Sequence, residues 1–83
     1  MATVLRLGQF RFWIWSNDHN PPHVHMENGS GEVRILLGNE SKAPEIDENS
    51  MCLRDARKVW RIVAERQEYF LIEWRKIHGK VEI

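Results

Sequence analysis

Apolar and polar positions along the chain alternate with a period of two over the first half and shift to a helical period over the last third. Val4-Leu5-Arg6-Leu7 and Phe10-Arg11-Phe12-Trp13-Ile14-Trp15 are rich in β-formers and meet at Gly8-Gln9, with glycine at the first loop position as a type II′ turn prefers. They predict a first hairpin. His23-Val24-His25-Met26-Glu27 and Ser30-Gly31-Glu32-Val33-Arg34-Ile35-Leu36-Leu37 alternate around Asn28-Gly29 and predict a second. With Asn28-Gly29 as the loop, Glu27 faces Ser30, Met26 faces Gly31, His25 faces Glu32, Val24 faces Val33 and His23 faces Arg34. Val24, Met26, Val33 and Ile35 then share the core face, and His23, His25, Glu27, Glu32 and Arg34 share the outer face.

Between the hairpins, Ser16-Asn17-Asp18-His19-Asn20-Pro21-Pro22 forbids both helix and central strand and reads as a rigid loop. Residues 38 to 50 contain Gly38, Asn39, Pro44 and four acids, Glu40, Glu45, Asp47 and Glu48, and predict an acidic loop with at most a short edge strand near Glu45-Ile46. No Gly or Pro interrupts residues 51 to 78, Ser50 offers an N-cap, and Gly79 supplies a stop. On a helical projection Ala56, Val59, Trp60, Val63, Phe70, Leu71, Trp74 and Ile77 gather on one side, opposite Arg54, Arg57, Lys58 and Arg61. Such a helix would run for roughly 40 Å, longer than a domain of this size is wide, so a kink near residues 65 to 68 or a protruding end is expected. The expectation is an α+β fold of one domain over residues 1 to 83: an antiparallel four-stranded β-meander of two hairpins, about residues 3 to 37, packed against one long C-terminal helix.

Composition narrows the function. The chain has 83 residues, 42% of them hydrophobic, with 12 basic and 12 acidic side chains. One cysteine, Cys52, excludes an internal disulfide framework, so packing, a partner or a metal must hold the domain. Its place at the helix start favours a thiolate, but no base lies beside it in sequence, and a structural role is expected. No run approaches the ~18 apolar residues of a membrane span, and the first residues lack a signal peptide's order. A cytoplasmic protein with no membrane partner is expected. The zero net charge hides an asymmetry: residues 1 to 52 carry four bases and seven acids, and residues 53 to 80 carry eight bases and four acids.

Three of the four histidines, His19, His23 and His25, fall within seven positions. Three readings of this cluster stand open. His19, His23 and His25 can hold Zn²⁺, Ni²⁺ or Cu²⁺, since same-face strand positions two apart suit two imidazoles, with Asp18 or Glu32 completing the shell. Without a metal, His23 and His25 can move protons on an RNA phosphodiester while Arg34 steadies the phosphate, which makes these three the catalytic candidates. The third reading is purely structural: cross-strand polar pairing beside a Pro-Pro turn. Arg54, Arg57, Lys58 and Arg61 form a basic stripe suited to RNA phosphate, to an acidic protein, to the chain's own segment from Glu40 to Glu48, or simply to solvent. Trp13 and Trp15 alternate with Phe12 and Ile14, so the second strand is apolar on both faces and one aromatic pair needs cover. With Ile62, Tyr69 and Ile72, which fall off the helix stripe, the two tryptophans mark a candidate interface for a protein partner or a second protomer.

Thr3-Val4-Leu5-Arg6, Phe10-Arg11-Phe12 and above all Ser16-Asn17-Asp18-His19-Asn20-Pro21-Pro22-His23-Val24-His25 resemble the bacterial family called domain of unknown function 4160. The resemblance continues through Gly31-Glu32 and Leu71-Ile72-Glu73-Trp74 to Trp74-Arg75-Lys76-Ile77-His78-Gly79. It directs attention to His19, Pro21, Pro22, His23 and His25 without implying a reaction. It also implies a partner, since members are often encoded beside another small protein in what has been proposed as a toxin-antitoxin-like pair. The expectation is therefore a small bacterial interaction module, one component of a two-gene system, engaging a protein or RNA through the histidine hairpin.

Overall fold

A computed structural model describes residues 2–16, 18, 19, 21–29, 31–39 and 41–79. Asn17, Asn20 and Glu40, assigned above to loops, and Ser30, assigned above to the start of a strand, lie outside them. Five antiparallel strands form one sheet in sequence order: β1 (Ala2–Leu7), β2 (Phe10–Ile14), β3 (His23–Asn28), β4 (Gly31–Leu36) and β5 (Glu45–Asn49). Two helices follow, α1 (Leu53–Glu65) and α2 (Gln67–His78). The α+β class and the meander are as expected; four strands become five, and one long helix becomes two.

The first hairpin closes at Gly8-Gln9, where Gly8 takes φ +58°, a conformation a side chain would oppose. A bulge between Thr3 and Leu5 turns Val4 inward, and the Tyr69 hydroxyl donates to its carbonyl, tying α2 to β1. The second hairpin pairs Asn28 with Gly31, so Asn28 belongs to the strand rather than to an Asn28-Gly29 loop. Every partner moves by two: Glu27 faces Glu32, Met26 faces Val33, Val24 faces Ile35, His25 faces Arg34 and His23 faces Leu36. A two-residue slip preserves the faces. The shifted register also brings Gly31, where a Cβ would stand 2.8 Å from Ser50 Oγ, to the hairpin end against β5.

The fifth strand, Glu45-Ile46-Asp47-Glu48-Asn49, forms where a short edge strand was expected near Glu45-Ile46 and extends it to five residues of the acidic loop. It carries a single apolar residue, so its pattern is that of a loop, and its order comes from backbone pairing with β4. Acidic side chains on this edge discourage pairing with another chain. The helix breaks at Arg66, whose N–H bonds to Val63 O at 3.1 Å, within the window where a kink was expected. The Cα extents of 33 × 28 × 19 Å show why an unbroken helix would overrun the sheet. The N-cap is Cys52, without a side-chain cap, rather than Ser50, whose hydroxyl instead accepts the Glu32 N–H. Gln67, at the start of α2, accepts Gly38 N–H at 2.9 Å and donates to Asn39 O, pinning the loop before β5.

Phe12, Ile14, Val24, Met26, Val33 and Ile35 from the sheet meet Val59, Val63, Phe70 and Trp74 from the helices in one core. Phe12 and Phe70 rings lie 5.4 Å apart. Among the described residues, no helix is long and apolar enough to cross a membrane.

Candidate metal centre

Local turn chemistry builds the site. Asp18 N–H donates to Trp15 O at 3.1 Å and Asp18 Oδ2 accepts Trp15 N–H at 2.9 Å, so the loop after β2 folds back on itself. Pro21-Pro22 then leads the chain into β3, with Pro22 O accepting Leu37 N–H and Pro21 O accepting the Nδ1–H of His23 at 2.9 Å. A carbonyl only accepts, so the hydrogen of His23 sits on Nδ1 and its Nε2 presents a lone pair whenever the ring is neutral.

That Nε2 faces Asp18 Oδ1 at 3.4 Å, and His25 Nε2 lies 3.2 Å from Asp18 Oδ2. The chosen donor atoms of Asp18, His23 and His25 all lie within 4.8 Å of one another. Tetrahedral sites with bonds of about 2.0–2.2 Å have ligand-to-ligand edges of roughly 3.3–3.6 Å. The separations of 3.4 and 3.2 Å, each to a different oxygen of Asp18, lie near that edge, while the set as a whole spans up to 4.8 Å. The side chains are well shielded, at 13% exposure for Asp18, 11% for His23 and 20% for His25. A neutral His23 sets acceptor against acceptor, a contact that a cation relieves. Burial holds the His25 pKa below its ordinary 6.5; Asp18 opposes the shift, while the charges of His23 and Arg34 add to it. A depressed pKa keeps the ring neutral and available as a ligand near neutral pH.

Around the donors, Trp13 stacks on His25 with ring centres 6.0 Å apart and planes 17° apart, and Trp15 meets both rings edge-on. The Arg11 guanidinium lies 5.0 Å from the Trp13 ring centre. His23 touches His25 at 5.1 Å and Trp74 at 5.2 Å between ring centres, linking the centre to the core side of α2. An open cleft of about 460 Å³ adjoins Asp18 and His23, with His19, Arg34, Leu36 and Asp47 on its walls.

The structure therefore gathers His23 and His25 but leaves His19 exposed on the cleft wall, outside the donor set, and puts Asp18 at its centre. Glu32 is not its fourth member: it points to Glu27, which raises its pKa. The Arg34 guanidinium, offered by the sequence to a phosphate, is engaged by Asp47 and Glu48, and these carboxylates keep it firmly protonated. Of the proposed interface residues, Trp13 is only 6% exposed, covered by its neighbours on the sheet, whereas Trp15, Tyr69 and Ile72 keep about 40% or more. Arg54, Arg57, Lys58 and Arg61 are exposed on α1, whose buried residues Ala56, Val59 and Val63 face the core. The stripe and the histidine cluster therefore lie on different faces of the molecule. Asp47 and Glu48, assigned above to the acidic loop, were not expected at the site; both meet Arg34, and the bulge in β5 accompanies the placement of Asp47 on the cleft.

No curated protein and no solved structure matches the chain. One family model does, over residues 9–75, and it spans the loop, the metal-competent donors and most of both helices. The chain belongs to the family described as Domain of unknown function (DUF4160).

Proposed function

We propose that this protein is a small interaction module organised by a divalent transition metal held between Asp18, His23 and His25. The observation that supports it most directly is the approach of one carboxylate to two imidazole Nε2 atoms, at 3.4 and 3.2 Å, with the other nitrogen of His23 committed to a backbone carbonyl. Metal-bound histidines commonly use that arrangement to fix ring orientation. Zn²⁺, Ni²⁺ and Cu²⁺ all accept two imidazoles and a carboxylate. The ion would tie the loop bearing Trp15 to β3 and hold the half-exposed indole as part of a docking surface beside the cleft. Its occupant is a protein rather than RNA, because Asp18 and Asp47 wall the cleft and Arg34 is already neutralised. The other component of a two-gene pair fits this role.

The test is titration of chelator-treated protein with Zn²⁺, Ni²⁺ and Cu²⁺, followed by gel filtration with the neighbouring gene's product. Stoichiometric binding by the wild type, lost in His25→Ala, supports the centre. A wild type that binds no metal ends this reading. Cleavage of RNA by the metal-loaded protein, abolished by His23→Ala, would favour a phosphodiesterase in its place.

A further inference from the structure

The strand bulge in β5 gives the metal centre a component that the three donors alone lack. Along β4 and β5 the register runs Val33 to Asn49 and Arg34 to Glu48, then Ile35 to Ile46 and Leu36 to Glu45. Asp47 is the extra residue. Bulges re-aim side chains and occur often beside functional sites. Here the bulge sets two consecutive carboxylates, Asp47 and Glu48, against one guanidinium: Asp47 Oδ2 accepts Arg34 Nε–H at 2.7 Å, and Glu48 Oε1 lies 3.2 Å from Arg34 Nη2. One carboxylate suffices to neutralise Arg34, so the second is surplus. Asp47 is the one that also borders the cleft against Asp18 and His23, with its side chain 34% exposed.

Resting on the metal centre proposed above, we infer that Asp47 is its fourth ligand, exchanging Arg34 for the ion while Glu48 retains the guanidinium. Charge supports this division. A divalent ion with Asp18 alone leaves one uncompensated positive charge in a shielded site, and Asp47 cancels it. Arg34 with Glu48 then forms a second neutral pair. Two imidazoles and two carboxylates complete a tetrahedral oxygen and nitrogen shell of the kind Zn²⁺ accepts. Arg34 acts as a positioning residue that stores the carboxylate at the cleft wall.

Asp47→Asn and Glu48→Gln each remove one negative charge beside Arg34, so comparing them separates ligation from general electrostatics. Zn²⁺ affinity is measured on the full chain by chelator competition, and Co²⁺ binding by visible absorption, with circular dichroism to verify that each variant is folded. The expected result is a loss of about tenfold or more for Asp47→Asn beyond that for Glu48→Gln. The Co²⁺ spectrum should shift in Asp47→Asn and match the wild type in Glu48→Gln. Equal affinity losses with unchanged spectra in both variants overturn the assignment of Asp47 while leaving the three-donor centre standing. A wild type that binds neither ion overturns both.

Discussion

On the core face of the sheet Phe12, Ile14, Val24, Met26, Val33 and Ile35 are each 2% exposed or less, and two helices supply their cover. The opposite face carries Trp13, His25, Glu27, Glu32, Arg34 and Glu48, and its cover comes from side chains bonding and stacking on one another. The first face is held by apolar area, which is non-directional and tolerant of detail. The second relies on directional contacts: a carboxylate between two imidazoles, an arginine between two carboxylates, an indole stacked on a histidine. Stability is concentrated on one side and chemistry on the other. His23 joins them, since its ring touches His25 and Trp74 alike.

If this division is right, truncation on the two faces has unequal cost. Trp74→Ala removes an indole that is 1% exposed and should cost about 3–5 kcal/mol, read by urea unfolding. That is a large part of the roughly 5–15 kcal/mol a small domain commands. Trp15→Ala, at 41% exposure on the other side, should cost less than half as much. Equal losses would erase the distinction between the faces.

The next largest effect concerns ligand binding. Asp18→Ala should lower Zn²⁺ affinity by roughly 100-fold or more, while the metal-free protein loses about 1–2 kcal/mol with the hydrogen bonds of the loop. Free Zn²⁺ at 100 times its Kd should add about 2.7 kcal/mol to the wild type, and thermal unfolding of Asp18→Ala at that concentration should show little of this gain. A variant stabilised as much as the wild type would show that the outer face does not depend on this carboxylate for metal.

The same contrast governs what could be read from sequence. Strands that bury one face write a period of two, so β1 to β4 and the side assigned to Val24, Met26, Val33 and Ile35 are legible, even through a two-residue register error that leaves faces unchanged. The helical stripe identifies Ala56, Val59, Val63, Phe70 and Trp74 as core, and all are buried. The fifth strand leaves no such trace: Glu45-Ile46-Asp47-Glu48-Asn49 owes its place to backbone pairing, which does not depend on side-chain pattern. At the site, the histidine spacing points to His23 and His25. The central place of Asp18 depends on a loop that turns back through its own Trp15 contact, and the exclusion of His19 on that same turn. Asp47 depends on a bulge, which no periodicity announces.

Acid should act on the outer face through His25. Its folded pKa lies below the unfolded value of 6.5, so between the two the unfolded chain binds more protons. The resulting stability is present above pH 6.5 and is lost as the pH falls through the folded pKa. Thermal unfolding followed from pH 7.5 to 5 should therefore show a decline that His25→Gln flattens. A wild-type curve that rises on acidification across this window would mean that the attraction of Asp18 outweighs burial at this ring.

The smallest effect concerns Glu27 and Glu32, which face one another across β3 and β4 as like charges. Directly opposed like charges weaken a strand pair. Their interaction raises the Glu32 pKa above 4.5, first through a hydrogen bond that requires one of the two to be protonated, then through repulsion. The sign is opposite to that of a paired carboxylate: the folded state binds protons more readily than the unfolded one, so stability rises as the pH falls through the folded pKa. Glu32→Gln removes the repulsion without shortening the side chain. It should raise the melting temperature by roughly 1–3 °C at pH 7, with a smaller gain near pH 4, where the wild-type carboxyl is already protonated, and a smaller gain at high salt. The core and the metal donors should be unaffected, so Zn²⁺ affinity should stay within about twofold of the wild type, since Glu32 lies outside the donor set and is not among the charges that act on His25. A drop in melting temperature at pH 7 would instead mean that the Glu32 carboxylate is held in place by a favourable partner, making it part of the outer face's bonded network rather than a source of repulsion within it.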